Sequence, residues 1–332
     1  MRIKELVGLL ALAQQAIAHE EEASKVAAAH ELHGTFKFGL DYFAGRTGYF
    51  TVEGYDGVQP TLIMERGKTY EFDQTNAENW FHPLGFGYEP DGAHEGVDEL
   101  EAGVGNGDEP IYIINGELSD LDTYEPEFFY PLDAWKETQY TVQLTVTDPD
   151  VNEIFYFCHI HNGMSGRILI VDDASAVDDI DYNYGEIMLY EPYQAGHEDQ
   201  KCGTWEAGSF YGQHNLEAFC PGQDFICADE SANTQFVKCM EAIDCKMNHD
   251  MRVETNADPV ATWMHQMIPH HDNAVNMAKI LLKTEGDNLD DEVADLMVSI
   301  INSQNQQITF MESYLRDNEY PTATEAGCAF ST

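Results

Sequence analysis

The sequence predicts a multidomain β + α chain, in which a β-sandwich precedes a small, disulfide-stapled helical bundle. Residues 140–147 alternate between apolar and polar side chains, which is the two-residue period of a half-buried strand. After residue 258, apolar side chains recur at steps of three and four, as in amphipathic helices. Six of the seven cysteines follow residue 200, so disulfides are expected to hold the second half together.

The first residues predict export. Arg2 and Lys4 precede a mostly apolar run that ends in small residues at Ala18, which is typical of a secretory signal peptide over residues 1–18. An acidic lead-in at residues 19–33 follows. Since no other apolar run reaches the length of a membrane span, we expect a secreted or periplasmic protein with no membrane insertion.

The charge of the chain excludes several partners. Sixty acidic and sixteen basic residues give a net charge of −44. Such a charge disfavours nucleic acid and anionic membrane surfaces as electrostatic partners. It attracts cations, including metal ions, without selecting among them.

The first folded domain is expected at residues 34–172. Turn residues rich in Gly, Asp and Pro separate its strand candidates. A hairpin is predicted from Ile63 to Phe72, around Arg66-Gly67-Lys68. The strand candidates are Pro60–Met64, Thr69–Phe72, Ile111–Ile114, the alternating segment at 140–147, Ile154–Phe157 and Ile168–Val171.

A metal site is predicted where the last two strands meet. The loop between them carries Cys158, His161 and Met164, and His82 follows the strand candidate Thr69–Phe72. One thiolate, two imidazoles and a thioether are the ligands of a trigonal copper site with a weak axial Met. A Cys/His/His zinc site is the main chemical alternative. Without a metal, each of these residues would be ordinary core or turn structure. His159 alternates away from Cys158 and is expected at the surface.

These residues resemble a known family. The segment from about Gly34 to Val171 looks like a cupredoxin, and its C-x2-H-x2-M loop is similar to the short, amicyanin-like ligand loop. The resemblance implies a Greek-key β-sandwich with type 1 copper, in which His82, Cys158 and His161 are equatorial ligands and Met164 is axial. The multicopper oxidases need further HxH pairs and a His before the Cys, where this chain has Phe157. We therefore expect a mononuclear site with no oxygen-reducing cluster, which favours a protein that is not an enzyme.

The second half begins with an acidic, Cys-rich connection at residues 173–230, and a helical domain follows at residues 231–332. Helices are predicted at about 231–246, from an Asp258 cap and Pro259 to a stop at Gly286, and from 290 to about 316, with an apolar stripe through Leu296 and Ile300. Without Cys158, six cysteines remain, and in an oxidising compartment they predict three disulfides of undetermined pairing.

The long predicted helix carries thioethers and imidazoles on one sector. Soft sulfur ligands together with imidazole suit Cu(I), whereas a Met stripe alone is more often core. The motifs MIPHHDNAVNMA and SQNQQITFMESYL are similar to the helical family catalogued as domain of unknown function 305, some of whose members are exported bacterial copper-binding proteins. That resemblance implies the copper-ligand candidates Met267, His270, His271, Met277 and Met311.

Two copper-capable modules favour an exported copper-binding protein that acts in copper handling or electron transfer. Its partners would be copper ions and a redox or copper-exchange protein. An oxidoreductase that oxidises Cu(I) or a small reductant at the blue site is an alternative, as is a metal-free structural protein.

Overall fold

The structure is a computed structural model, and it describes residues 32–91, 100, 109–174, 195–227, 234–254 and 258–327. The predicted signal peptide, most of the acidic lead-in and residues 175–194 of the connection lie outside the described residues. The expectations for those segments therefore stay predictions.

The described residues form ten strands in two sheets. The bounds are β1 Leu32–Asp41, β2 Tyr49–Val52, β3 Leu62–Glu65, β4 Thr69–Asp73, β5 Leu84–Gly87, β6 Ile111–Ile114, β7 Glu117–Ser119, β8 Tyr140–Thr145, β9 Glu153–Cys158 and β10 Ser165–Val171. One sheet has the order β2-β1-β4-β8-β6-β7 and the other β3-β10-β9-β5. β1 is parallel to β4 and β3 is parallel to β10, and the other pairs are antiparallel.

The two sheets pack face to face through aromatic side chains. Alternate residues of β8 are buried, which agrees with its sequence period. Between the sheets, the rings of Phe38 and Tyr156 are 5.2 Å apart and those of Phe72 and Phe86 are 4.7 Å apart. The predicted class, a β-sandwich followed by a helical part, is confirmed.

The predicted hairpin around Arg66 is wrong. β3 and β4 lie in different sheets, and each strand buries side chains in the core between the two sheets. The turn between them bonds to other strands: Arg66 N donates to Val171 O at 2.8 Å, and Gly67 N donates to Val146 O at 2.7 Å. The connection therefore crosses from one sheet to the other.

Two short helices, α1 Leu121–Glu127 and α2 Leu132–Trp135, lie between β7 and β8. Helices dominate the second half, where the bounds are α3 His197–Cys202, α4 Gln213–Phe219, α5 Gln235–Asp250, α6 Pro259–Glu285 and α7 Asp291–Asp317. Asp258 caps α6 as predicted, since its side chain accepts a bond from Val260 N at 2.7 Å. The start of α6 packs against the end of α7, so the two helices are antiparallel. No helix in the described ranges has the length and apolar character needed to cross a bilayer.

Two disulfides fasten the connection to α5. Cys202 pairs with Cys239, and Cys220 pairs with Cys245. Within the described residues, Cys158 is buried and forms no disulfide, and Cys227 is exposed and forms none either. Cys328 lies outside those residues, so the third predicted disulfide stays a prediction.

The sandwich and the long helices share one apolar core. Val275 and Ala278 of α6 and Ile301 of α7 belong to the same buried cluster as the sandwich residues. Lys279 is fully buried, and its Nζ donates to Gly45 O and Arg46 O at 2.7 Å each, in the β1–β2 connection. The helices thus cover part of the sandwich.

Candidate metal centre

Three of the predicted copper ligands meet inside the sandwich. His82 precedes β5, Cys158 ends β9, and His161 lies in the loop before β10. Cys158 Sγ is 3.8 Å from His82 Nδ1 and 3.7 Å from His161 Nδ1, and the two Nδ1 atoms are 3.2 Å apart. All three residues are buried. Among the described residues, this is the group of His, Cys, Asp and Glu side chains whose geometry suits a metal ion.

The spacing of these three atoms fits a single small ion. Nitrogen and sulfur ligands lie about 2.0 Å and about 2.3 Å from a bound zinc ion. At those lengths, one ion can contact both Nδ1 atoms and the sulfur at once, with edges of 3.2, 3.7 and 3.8 Å. The donor set, two imidazoles and a thiolate, suits borderline and soft metals.

Backbone strain and a buried amide fix His82. The preceding residue, Phe81, has a φ of 71°, in the left-handed region that a bulky side chain rarely occupies. Gln74 is fully buried and bonds to the backbone on both sides of Pro83. Its Nε2 donates to His82 O at 2.7 Å, and its Oε1 accepts from Leu84 N at 2.9 Å. These contacts fix the backbone at His82 and so set where its side chain begins.

The ligand loop is braced from both sides. Cys158 N donates to Met164 O at 3.1 Å, which closes the loop. The N–H groups of Ile160 and His161 each donate to Cys158 Sγ at 3.4 Å. Asp91, also buried, accepts a bond from Gly163 N at 2.9 Å. Donors aimed at the sulfur stabilise negative charge on it.

Burial sets the protonation of the site. It raises the pKa of the Cys158 thiol to about 12, although the N–H groups of His161 and Ile160 lower it. Burial also lowers the pKa of His82 to about 3, although a hydrogen bond with Asn302 raises it. His82 is therefore neutral at physiological pH, with a ring nitrogen free to bind. A cation bound here would offset the cost of a buried thiolate.

The structure places the other residues of this motif in different ways. Met164 is fully buried and belongs to the same apolar cluster as Cys158. The expectation that His159 lies at the surface is wrong, because its side chain is only 8 % exposed and Nδ1 is 3.9 Å from Glu125 Oε2. The ring fills the space beside Gly85, where a Cβ would come within 2.2 Å of Nε2.

The helical copper candidates occupy two environments. Met311 is buried in the cluster between α6 and α7, and Met267 packs against that cluster. His271 is also buried, and its Nε2 is 2.6 Å from Gln307 Oε1. His270 and Met277 are exposed, Met277 by 40 %. Burial thus separates these two from the other three candidates, and the second copper site stays a prediction.

The two antiparallel helices carry the motifs noted in the sequence. Residues 261–329 match the family described as domain of unknown function (DUF305). The match begins just inside α6, contains all of α7 and extends to the end of the described chain. No curated protein and no solved structure gives a significant match to the chain. The DUF305 segment is therefore the part of this chain with a family match.

Sequence reasoning missed three buried polar residues around the centre, namely Gln74, Asp91 and Asn302. Asn302 lies on α7, within the DUF305 segment, and its Oδ1 is 3.4 Å from His82 Nε2. It adjoins the buried Ile301, but an amide on a helix has the hydropathy of a surface residue, so periodicity does not identify it. Gln74 and Asp91 belong to no motif that the sequence would reveal.

Proposed function

We propose that this is an exported copper-binding protein, acting in copper handling or electron transfer through a type 1 copper site. His82, Cys158 and His161 would be the equatorial ligands and Met164 the axial one. The observation that carries the proposal is the buried triangle of two Nδ1 atoms and one Sγ, with edges of 3.2, 3.7 and 3.8 Å. Met164, buried in the same apolar cluster as Cys158, would complete the donor set of a blue-copper centre.

The residue types around the triangle favour copper over structural zinc. Structural zinc takes four ligands from Cys, His, Asp and Glu side chains, whereas the fourth candidate here, Met164, is a thioether. Trigonal His2Cys coordination with a weak axial Met is the pattern of blue-copper proteins.

Copper bound here would supply one-electron chemistry between Cu(I) and Cu(II). The surrounding residues would hold the ligands still in both oxidation states, because His82 is fixed by Gln74 and the loop by Asp91. The N–H groups that point at Cys158 Sγ would tune the reduction potential. Phe157, where an oxygen-reducing centre needs a histidine, supports a mononuclear role rather than oxidase chemistry.

A second, Cu(I)-preferring site is proposed in the DUF305 segment. Met267 and Met311 share one apolar cluster, and His271 is buried nearby on the same helix as Met267. Thioethers in apolar surroundings suit Cu(I), which accepts few ligands. Two disulfides support the proposed location outside the reducing cytosol. The alternative is an oxidoreductase that oxidises Cu(I). The helical site would hold its Cu(I) substrate, and the type 1 copper would accept the electron.

The test is the visible spectrum and copper content of the purified full chain loaded with Cu(II). We expect an intense thiolate-to-copper charge-transfer band in the wild type. Cys158→Ala should remove that band and one copper per chain, while copper in the helical segment remains. The double variant Cys227→Ala/Cys328→Ala is the control, because neither cysteine is a predicted ligand and the two are expected to pair with each other, and it should keep the band. A wild type without the band would refute the type 1 site.

A further inference from the structure

One side chain of the helices contacts the candidate metal centre in the sandwich. Asn302 of α7 is fully buried. Its Oδ1 is 3.4 Å from His82 Nε2, and its Nδ2 donates to Trp80 O at 2.8 Å. His82 Nδ1, the other ring nitrogen, faces Cys158 Sγ and His161 Nδ1. Asn302 therefore contacts the imidazole on the side opposite the proposed metal.

The surroundings decide which way the Asn302 amide points. A backbone carbonyl can only accept, so the atom facing Trp80 O must be the amide nitrogen. Oδ1 then faces the ring of His82 and can only accept. His82 consequently carries its hydrogen on Nε2, and the lone pair of Nδ1 is directed at the other two donors. The amide thus selects the tautomer that can bind a metal.

We propose that Asn302 is a positioning residue of the copper centre, so that the DUF305 segment supplies part of the site formed in the sandwich. The identity of the metal in this inference rests on the proposed function, but the effect of Asn302 on the His82 ring does not. Metal-bound histidines generally donate their second ring N–H to a fixed acceptor, and removing that acceptor lowers metal affinity about 10- to 100-fold. Here the acceptor comes from a helix 220 residues away in sequence.

Asn305 provides the comparison that separates positioning from packing. It lies one turn further along α7 and is also buried. Its Nδ2 donates to Arg46 O at 3.2 Å, so it likewise ties the helix to a backbone carbonyl of the sandwich. No metal-ligand candidate is among its hydrogen-bond partners in the described residues. A general loss of helix packing would therefore affect variants at both positions.

The first measurement uses the metal-free full chain. Nitrogen chemical shifts of His82 should show hydrogen on Nε2 in the wild type and in Asn305→Leu. Asn302→Leu should lose this preference. Asn302→Asp should keep it, because a carboxylate oxygen still accepts from Nε2 although the bond to Trp80 O is lost. A His82 tautomer that is unchanged in Asn302→Leu would overturn the inference, whether or not the protein binds copper.

The second measurement is copper affinity and reduction potential at the site of the visible band. Asn302→Leu should bind copper about 10- to 100-fold more weakly than the wild type. Asn305→Leu should match the wild type. Asn302→Asp should keep the affinity and lower the potential, because added negative charge favours Cu(II). Equal losses in both leucine variants, or none in Asn302→Leu, would overturn the inference. A wild type that binds no copper, with the tautomer result intact, would instead refute the proposed function alone.

Discussion

Replacing Gln74 by leucine tests how the sandwich holds His82. The side chain is fully buried and bonds to the backbone on both sides of Pro83, at His82 O and Leu84 N. The buried Tyr124 hydroxyl also donates to Gln74 Oε1, at 3.2 Å. Leucine is of similar size but makes none of these three bonds. Each buried group left without a partner costs about 1–3 kcal/mol, so we expect Gln74→Leu to lower the free energy of unfolding by about 3–9 kcal/mol.

Denaturant unfolding of the metal-free protein measures this loss. Gln143→Leu is the control, because Gln143 lies on the neighbouring strand β8 and its bond partner among the described residues is a partly exposed carboxylate, Glu71 Oε2, at 3.2 Å from Nε2. That variant should stay within about 0.5 kcal/mol of the wild type. Similar free energies for the two variants would refute the argument that Gln74 fixes the His82 backbone.

Two further predictions concern pH and disulfides. Burial lowers the pKa of Lys279 to about 7, from an ordinary value of 10.5. Between these two pH values the chain binds a proton at Lys279 when it unfolds, so the stability of the folded state rises with pH across this range. The wild type should therefore gain on the order of 4 kcal/mol relative to Lys279→Met between about pH 7 and pH 10.5, and parallel pH profiles would contradict this. Mass spectrometry of the unreduced protein should find Cys158 unpaired, and a bridge that includes it would exclude its role as a ligand. The expected bridges are Cys202–Cys239, Cys220–Cys245 and Cys227–Cys328.

The ligand loop could be predicted because its chemistry and its support are both local. Cys158, His161 and Met164 lie within seven residues between two apolar strands, so the strands necessarily bring them together. His82 is distant in sequence, but a missing second imidazole and a preceding strand were enough to identify it. The Asp258 cap and the bounds of α6 were predictable for the same reason, since each depends on neighbouring residues.

The missed features depend on contacts between distant segments. The predicted stripe of α7 runs through Leu296 and Ile300, yet Leu296 is 54 % exposed. The buried side includes Asn302 and Asn305, because α7 packs against the sandwich as well as α6 and buries amides that bond to it. Hydropathy treats such amides as surface residues. The false hairpin at Arg66 has a similar cause: strand period alone does not say which sheet a strand joins.

The separation of His82 and Asn302 in sequence also determines the order in which parts of the site are synthesised. Chains are made from the N terminus at about 5–20 residues per second, so Asn302 follows His82 by roughly 10–40 s across 220 residues. Over the last 141 residues of that stretch, roughly 7–28 s, the chain already contains both histidines and Cys158, but not the amide that selects the His82 tautomer. An ion captured early and an ion captured late therefore meet different centres. The last long helix to be synthesised finishes a site whose other parts were made first.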